Sequence, residues 1–187
     1  MTTQPQVKLL TAEEFSALPD DGNHYDLVRG ELIKVGRPKP EHGELQATLT
    51  YFVVGHVRLN ALGKVYTEAG FHITHDPDTV YGPDVAFVAK ERATERDDRG
   101  YFAFAPELAV EILSPNDSIS STLDKANDYL SAGTRLVWFI YPRRKVVYVC
   151  RAATSIEIIS IEDVLDGGDV LPNFSLPLRE LFKGMDD

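Results

Sequence analysis

The apolar positions of this chain fall into stretches with two different periods. From Glu44, the residues Leu45, Leu49, Phe52, Val53 and Val57 recur at spacings of three and four, which predicts an amphipathic helix ending between Asn60 and Gly63. Shorter runs rich in β-branched and aromatic residues read as strands. Residues 25–28 and 31–35 flank Arg29-Gly30 as a hairpin, and residues 64–74 read as one strand broken by Asp76-Pro77-Asp78. Residues 84–89 follow Gly82-Pro83, and residues 108–113 close at Ser114-Pro115. Residues 136–141 are almost continuously apolar, as in a strand covered on both faces, and residues 142–145 turn them into a further strand at 146–150. Residues 155–161 add an edge strand.

Capping signals supply two more helices. Thr11 lies three positions ahead of Glu14, a capping box that predicts a short helix over residues 12–18, ended by Pro19, Asp20, Asp21 and Gly22. Ser120 or Ser121 caps a helix carrying Leu123, Ala126, Tyr129 and Leu130, with Gly133 as its stop. The charged residues 90–100 read as a loop. This order predicts a mixed α/β or α+β fold, one sheet flanked by helices with an N-terminal hairpin. With no internal repeat or linker, the 187 residues suit a single domain.

Composition narrows the function classes. A chain that is 43% hydrophobic and 26% charged is neither disordered nor fibrous. The formal net charge of -10 and pI near 4.9 exclude coating of nucleic acid by bulk charge. Contact with nucleic acid must therefore be local, and two basic clusters offer it: Arg143, Arg144 and Lys145, and Arg29, Lys34, Arg37 and Lys39. Solvated turns are the plainer explanation for both. The single cysteine, Cys150, lies in an apolar strand and reads as packing. Thr2, Thr3, Gln4 and Pro5 stand where a signal peptide needs a basic patch and an apolar core, and no apolar run spans a bilayer, so a cytoplasmic location is expected.

Two carboxylates stand out against apolar strands. Asp84 opens one strand after Pro83, and Glu111 sits inside another, sharing a face with Ala109 and Leu113 while Val110 and Ile112 point the other way. An unpaired carboxylate there costs several kcal/mol unless it is neutralised, bound to a cation or placed at an open sheet end. Taken singly, Asp84 reads equally well as a turn cap and Glu111 as a solvated edge residue. Together, two carboxylates from neighbouring strands form part of the oxygen shell that Mg²⁺ prefers, and such an ion activates water and offsets charge on phosphate. Lys125, on the helix after the Glu111 strand, is unremarkable alone but suits an electrostatic role beside a metal-bound water.

These residues carry a resemblance. Tyr25-Asp26-Leu27-Val28-Arg29-Gly30-Glu31-Leu32, Pro83-Asp84-Val85-Ala86-Phe87-Val88 and Val110-Glu111-Ile112-Leu113-Ser114-Pro115 occur in order. Asp124-Lys125 with Tyr129 and Gly133, then Trp138 with Tyr141-Pro142, follow them. The set resembles the Uma-type restriction endonuclease family of the PD-(D/E)XK nuclease superfamily, over a core of about residues 10–182. The resemblance implies a restriction-endonuclease-like fold, Mg²⁺ (or Mn²⁺) as cofactor and DNA as partner. It also implies Asp84 and Glu111 as metal ligands. The superfamily lysine belongs two residues after the acidic residue, where this chain has Leu113; the family is thought to supply it from the next helix, which points to Lys125.

Glu31 and His42 also match residue types the family favours: Glu31 as a further carboxylate and His42 as a phosphate contact or base. The plain alternatives are a solvated strand-edge charge and a local hydrogen bond ahead of the helix. His72 and His75 resemble a metal pair but are read as lacking a nearby acidic partner, and so are not assigned. Trp138, Phe139 and Tyr141 read as core rather than base-stacking platforms. The expected activity is hydrolysis of DNA phosphodiester bonds, with a homodimer suited to cutting both strands. Its rivals are a non-catalytic binding or assembly module on the same scaffold and a hydrolase of smaller phosphoesters.

Overall fold

The fold, taken from a computed structural model, is described for residues 8–93, 100–115, 117–153 and 155–185. The N-terminal residues read against a signal peptide, and residues 94–99 of the charged loop, lie outside the described residues. In chain order the first elements are α1 (Ala12–Ser16), β1 (His24–Val28), β2 (Glu31–Val35), α2 (Pro40–Leu59) and β3 (Gly63–Tyr66). Then come β4 (Phe71–Thr74), β5 (Thr79–Tyr81), β6 (Val85–Ala89), β7 (Leu108–Ile112) and α3 (Ile119–Ser131). The chain continues through β8 (Leu136–Tyr141), β9 (Val146–Ala152), β10 (Ser155–Ile159), β11 (Val164–Gly167), β12 (Leu171–Pro177) and α4 (Leu178–Leu181). The architecture is mixed α+β, with the helices packed on sheets. Among the described residues no helix is long and apolar enough to cross a membrane.

Local chemistry explains most boundaries. The α1 capping box is complete: Thr11 Oγ1 accepts from Glu14 N and the Glu14 carboxylate accepts from Thr11 N. Arg29 and Gly30 both have positive φ, the conformation of a two-residue hairpin turn, and Val28 pairs with Glu31 across it. α2 begins before the apolar period does, because Pro40 needs no N–H partner in the first turn. The α3 cap is Ser118, whose hydroxyl accepts from Ser121 N.

One strand expectation is corrected. Residues 64–74 form two strands, β3 and β4, in two different sheets. Between them Glu68 takes positive φ, and a Cβ on Gly70 would lie 2.5 Å from the Tyr101 ring, so the chain turns in a space that excludes a side chain. β5 and the C-terminal β11, β12 and α4 add elements beyond those the periodicity suggested.

The central sheet has the order β10-β9-β8-β7-β6-β3, with β7 and β8 parallel and the other pairs antiparallel. A second sheet, β2-β1-β5-β4, is built on the N-terminal hairpin. Alternation along β6, β7 and β8 divides the core. Val85, Val110, Ile112, Trp138 and Ile140 pack with Leu45, Leu49, Val53 and Val57 of α2 and with the C-terminal elements. Ala86, Ala109, Leu113, Val137 and Phe139 pack with Ala126 and Tyr129 of α3 and with Phe71 and Tyr81. Trp138 and Phe139 are core residues as expected, and Cys150 is buried. The face bearing Ala109 and Leu113, to which Glu111 belongs by alternation, is the one roofed by α3.

Candidate active site

The site forms where β6 begins and β7 ends. These strands run antiparallel with Val85 opposite Val110, so extending the register by one residue sets Asp84 opposite Glu111. Each carboxylate is then gripped by a different helix. From α2, His42 Nε2 lies 2.8 Å from Asp84 Oδ1, and Gln46 Nε2, one turn later, donates to the Asp84 carbonyl at 2.9 Å. The other Asp84 oxygen accepts from Ile112 N at 2.6 Å. From α3, Lys125 Nζ lies 2.9 Å from Glu111 Oε1, and the Tyr129 hydroxyl, one turn later, donates to the same oxygen at 2.8 Å. The structure thus brings together Asp84, Glu111, Lys125 and His42. His42 lies within the first turn of α2 rather than ahead of the helix. Glu31 stands apart: it is exposed at the head of β2, and no hydrogen bond or ion pair joins it to the other four among the described residues.

Asp26 was not singled out in the sequence, yet it reaches the site. Its Oδ2 lies 3.4 Å from Lys125 Nζ and its Oδ1 accepts from Gly82 N at 3.2 Å. The signal was present in Tyr25-Asp26, but alternation within a hairpin does not say which neighbour covers each face. Tyr81 completes the lysine's surroundings, with its ring centroid 4.7 Å from Nζ. Asp128 holds the Tyr81 hydroxyl at 2.8 Å and pairs with Arg29 from the hairpin turn at 2.9 Å, tying α3 to the second sheet.

The electrostatics follow from three carboxylates sharing a small, poorly hydrated space. Burial pushes the Glu111 carboxyl up to about 7; Lys125 opposes this, while Asp84 and Asp26 add to it. For Lys125, burial favours the neutral amine, but the Glu111 and Asp26 carboxylates outweigh it and hold the ammonium well above its ordinary range. The hydrogen bond to Asp84 raises the His42 imidazole, against the opposing effect of burial. Burial and the nearby Glu111 raise the Tyr129 phenol, so it stays a donor. The result is a fixed ammonium facing carboxylates, one of which resists ionisation.

A helix-flanked mixed sheet carrying this constellation at one end defines a restriction-endonuclease-like α+β protein. The chain belongs to the Uma2 family, described as "Putative restriction endonuclease", whose model matches residues 12–179. Among solved structures it is similar to a "putative nuclease belonging to DUF820" from Anabaena variabilis, with TM-score 0.80 and 22% identity over 92% of this chain and 97% of that one. That likeness establishes the shared fold. No curated protein matches the chain.

Proposed function

We propose that this protein is a metal-dependent DNA endonuclease of the PD-(D/E)XK type that hydrolyses phosphodiester bonds. The observation that carries this reading is the meeting of Asp84, Glu111 and Lys125 at one sheet end, with the lysine supplied by α3 in place of Leu113. The donor set fits Mg²⁺ or Mn²⁺: hard carboxylate oxygens on adjacent strands, with more negative charge than Lys125 offsets alone. Asp84 and Glu111 would hold the ion. Bound there, it supplies Lewis acidity and lowers the pKa of a coordinated water.

The chain's own residues do the rest. Lys125, fixed between Glu111 and Asp26, presents a permanent positive charge to the attacking water and to charge developing on phosphate. His42 and Ile112 N hold the Asp84 carboxylate in one orientation, and Tyr129 does the same for Glu111. Purified protein with Mg²⁺ or Mn²⁺ should cut DNA, and Asp84→Ala, Glu111→Ala and Lys125→Ala should each abolish cutting while the circular dichroism spectrum is kept. Normal cleavage by the Glu111 variant would sink the assignment.

The net charge of -10 favours a second reading, a non-catalytic module that keeps the scaffold. Calorimetric titration with Mg²⁺ separates the two, because such a module has no need of the ion.

A further inference from the structure

The β4–β5 hairpin carries a second constellation, away from the carboxylate–lysine site. His72, His75 and Asp78 follow one another at intervals of three residues, and one donor atom from each lies within 4.8 Å of the others. His72 Nε2 is 3.1 Å from Asp78 Oδ1, His75 Nδ1 is 3.8 Å from the same oxygen, and the two imidazole centroids are 4.0 Å apart. The acidic partner that the histidine pair lacked in the sequence reading is thus present. The chain's turn at residues 75–78 folds Asp78 back over His72.

A hydrogen bond between His72 and Asp78 is the simplest role for these residues, and it leaves the placement of His75 unexplained. His72 is 2% exposed, so its Nε2 meets Asp78 in a fixed, buried position. His75 is 68% exposed, yet its Nδ1 turns toward the same Asp78 oxygen that His72 already engages. Two imidazoles converging on one carboxylate oxygen is an arrangement that a shared cation would use.

We propose that His72 Nε2, His75 Nδ1 and Asp78 Oδ1 form a binding site for a divalent transition metal ion, best suited to Zn²⁺. Two imidazoles and a carboxylate select ions of that class over Mg²⁺, which takes oxygen ligands. Adjacent ligands of an ion with bonds of about 2.0–2.1 Å stand roughly 3.0–3.4 Å apart; the 3.1 Å His72–Asp78 separation falls in that range, and the exposed His75, 3.8 Å from Asp78, would close in to reach it. The carboxylate is already oriented, since Asp78 Oδ2 accepts from Ala12 N at 2.6 Å and Oδ1 is turned toward the two imidazoles. His72 is the buried anchor, and the exposed His75 closes the site from the solvent side.

The ion would fasten the N-terminal segment to the second sheet. Beyond the Ala12 contact, the Asp78 carbonyl accepts from Gly30 N at 2.8 Å and the Gly30 carbonyl accepts from Leu10 N at 2.8 Å. Asp78 therefore links α1, the β1–β2 turn and the β4–β5 turn, so an ion bound to it raises the stability of that whole junction.

The test is calorimetric titration of Zn²⁺, and of Co²⁺ with its visible absorption, in excess Mg²⁺, on the wild-type chain, His75→Ala and Glu111→Gln. The exposed position of His75 makes its loss safe for folding. Wild type and Glu111→Gln should bind one Zn²⁺ per chain and melt at a higher temperature with it. Loss of a direct ligand in His75→Ala should weaken binding by at least the roughly tenfold to hundredfold reported for outer-shell partners, and remove the gain in melting temperature. Three results would each overturn the proposal: no Zn²⁺ bound by wild type, equal binding by His75→Ala, or binding lost only in Glu111→Gln, which would place the ion at the carboxylate–lysine site.

Discussion

At Glu111, burial and two neighbouring carboxylates work against one ammonium, and the sign of the outcome is measurable. Its carboxyl is pushed from an ordinary 4.5 up to about 7, so between those values the folded protein holds a proton that the unfolded chain has released. Stability from this group is therefore present at low pH and falls as pH rises toward about 7. Glu111→Gln should remove that part of the slope, so its urea midpoint should gain on wild type between about pH 5 and about pH 8. An unchanged difference at both pH values would contradict the assignment. His42 shifts upward for the opposite reason, a partner that favours the charged form. Its stabilising effect is complete below the ordinary imidazole range and is lost as pH rises through the raised value. Asp84→Asn should return the His42 titration, followed by proton NMR, toward the ordinary range.

At the scale of elements, each helix contributes a pair of side chains one turn apart: His42 and Gln46 from α2 to Asp84, Lys125 and Tyr129 from α3 to Glu111. Apolar periodicity found α2 and capping and stop signals found α3, because each is a property of one segment. Periodicity missed the break in residues 64–74 because that break is imposed from outside, by Tyr101 against Gly70 and by two sheets claiming opposite ends of the run. A comparable constraint sits at the start of β3, where a Cβ on Gly63 would lie 2.1 Å from the Val88 carbonyl oxygen across the strand pair. Backbone cannot give way as a side-chain tip can. Gly63→Ala should therefore destabilise the protein by about 1–3 kcal/mol in urea denaturation, and a neutral effect would mean that β3 and β6 separate easily.

Over the whole molecule, the question is how a chain of net charge -10 would approach DNA. Lys34, Arg37 and Lys39 are exposed on and after β2, leading into the helix that carries His42, while Arg143 and Arg144 are exposed on the turn after β8. Because β7 and β8 are parallel, that turn lies at the same sheet end as Glu111. The turn cluster thus lies at the carboxylates' end of the sheet, and the other cluster runs into the helix that carries His42. If they contact phosphates, Arg143→Glu with Arg144→Glu should flatten the plot of log affinity against log salt by up to about 2 and weaken DNA binding without changing the melting temperature. Affinity unaffected by this double change would remove the turn from the interface.

The sequence by itself determined three of the four described helices, most of the strands and the hairpin turn at Arg29-Gly30, because periodicity, caps and turn residues act over a few positions. It also marked Asp84 and Glu111 as carboxylates in apolar strands, and the family resemblance, with no lysine at Leu113, pointed to Lys125. Only the tertiary structure decided which side chains from distant segments meet. Asp26 lies 99 positions from Lys125 and His42 lies 42 from Asp84, and no local pattern encodes either contact. Glu31 and Asp26 occupy the same hairpin and carry the same charge, yet only Asp26 comes under α3. The histidine pair illustrates the same division at short range: the sequence shows His72 and His75 with no acidic partner in view, and the Asp78 carboxylate meets them only because the turn folds back on itself.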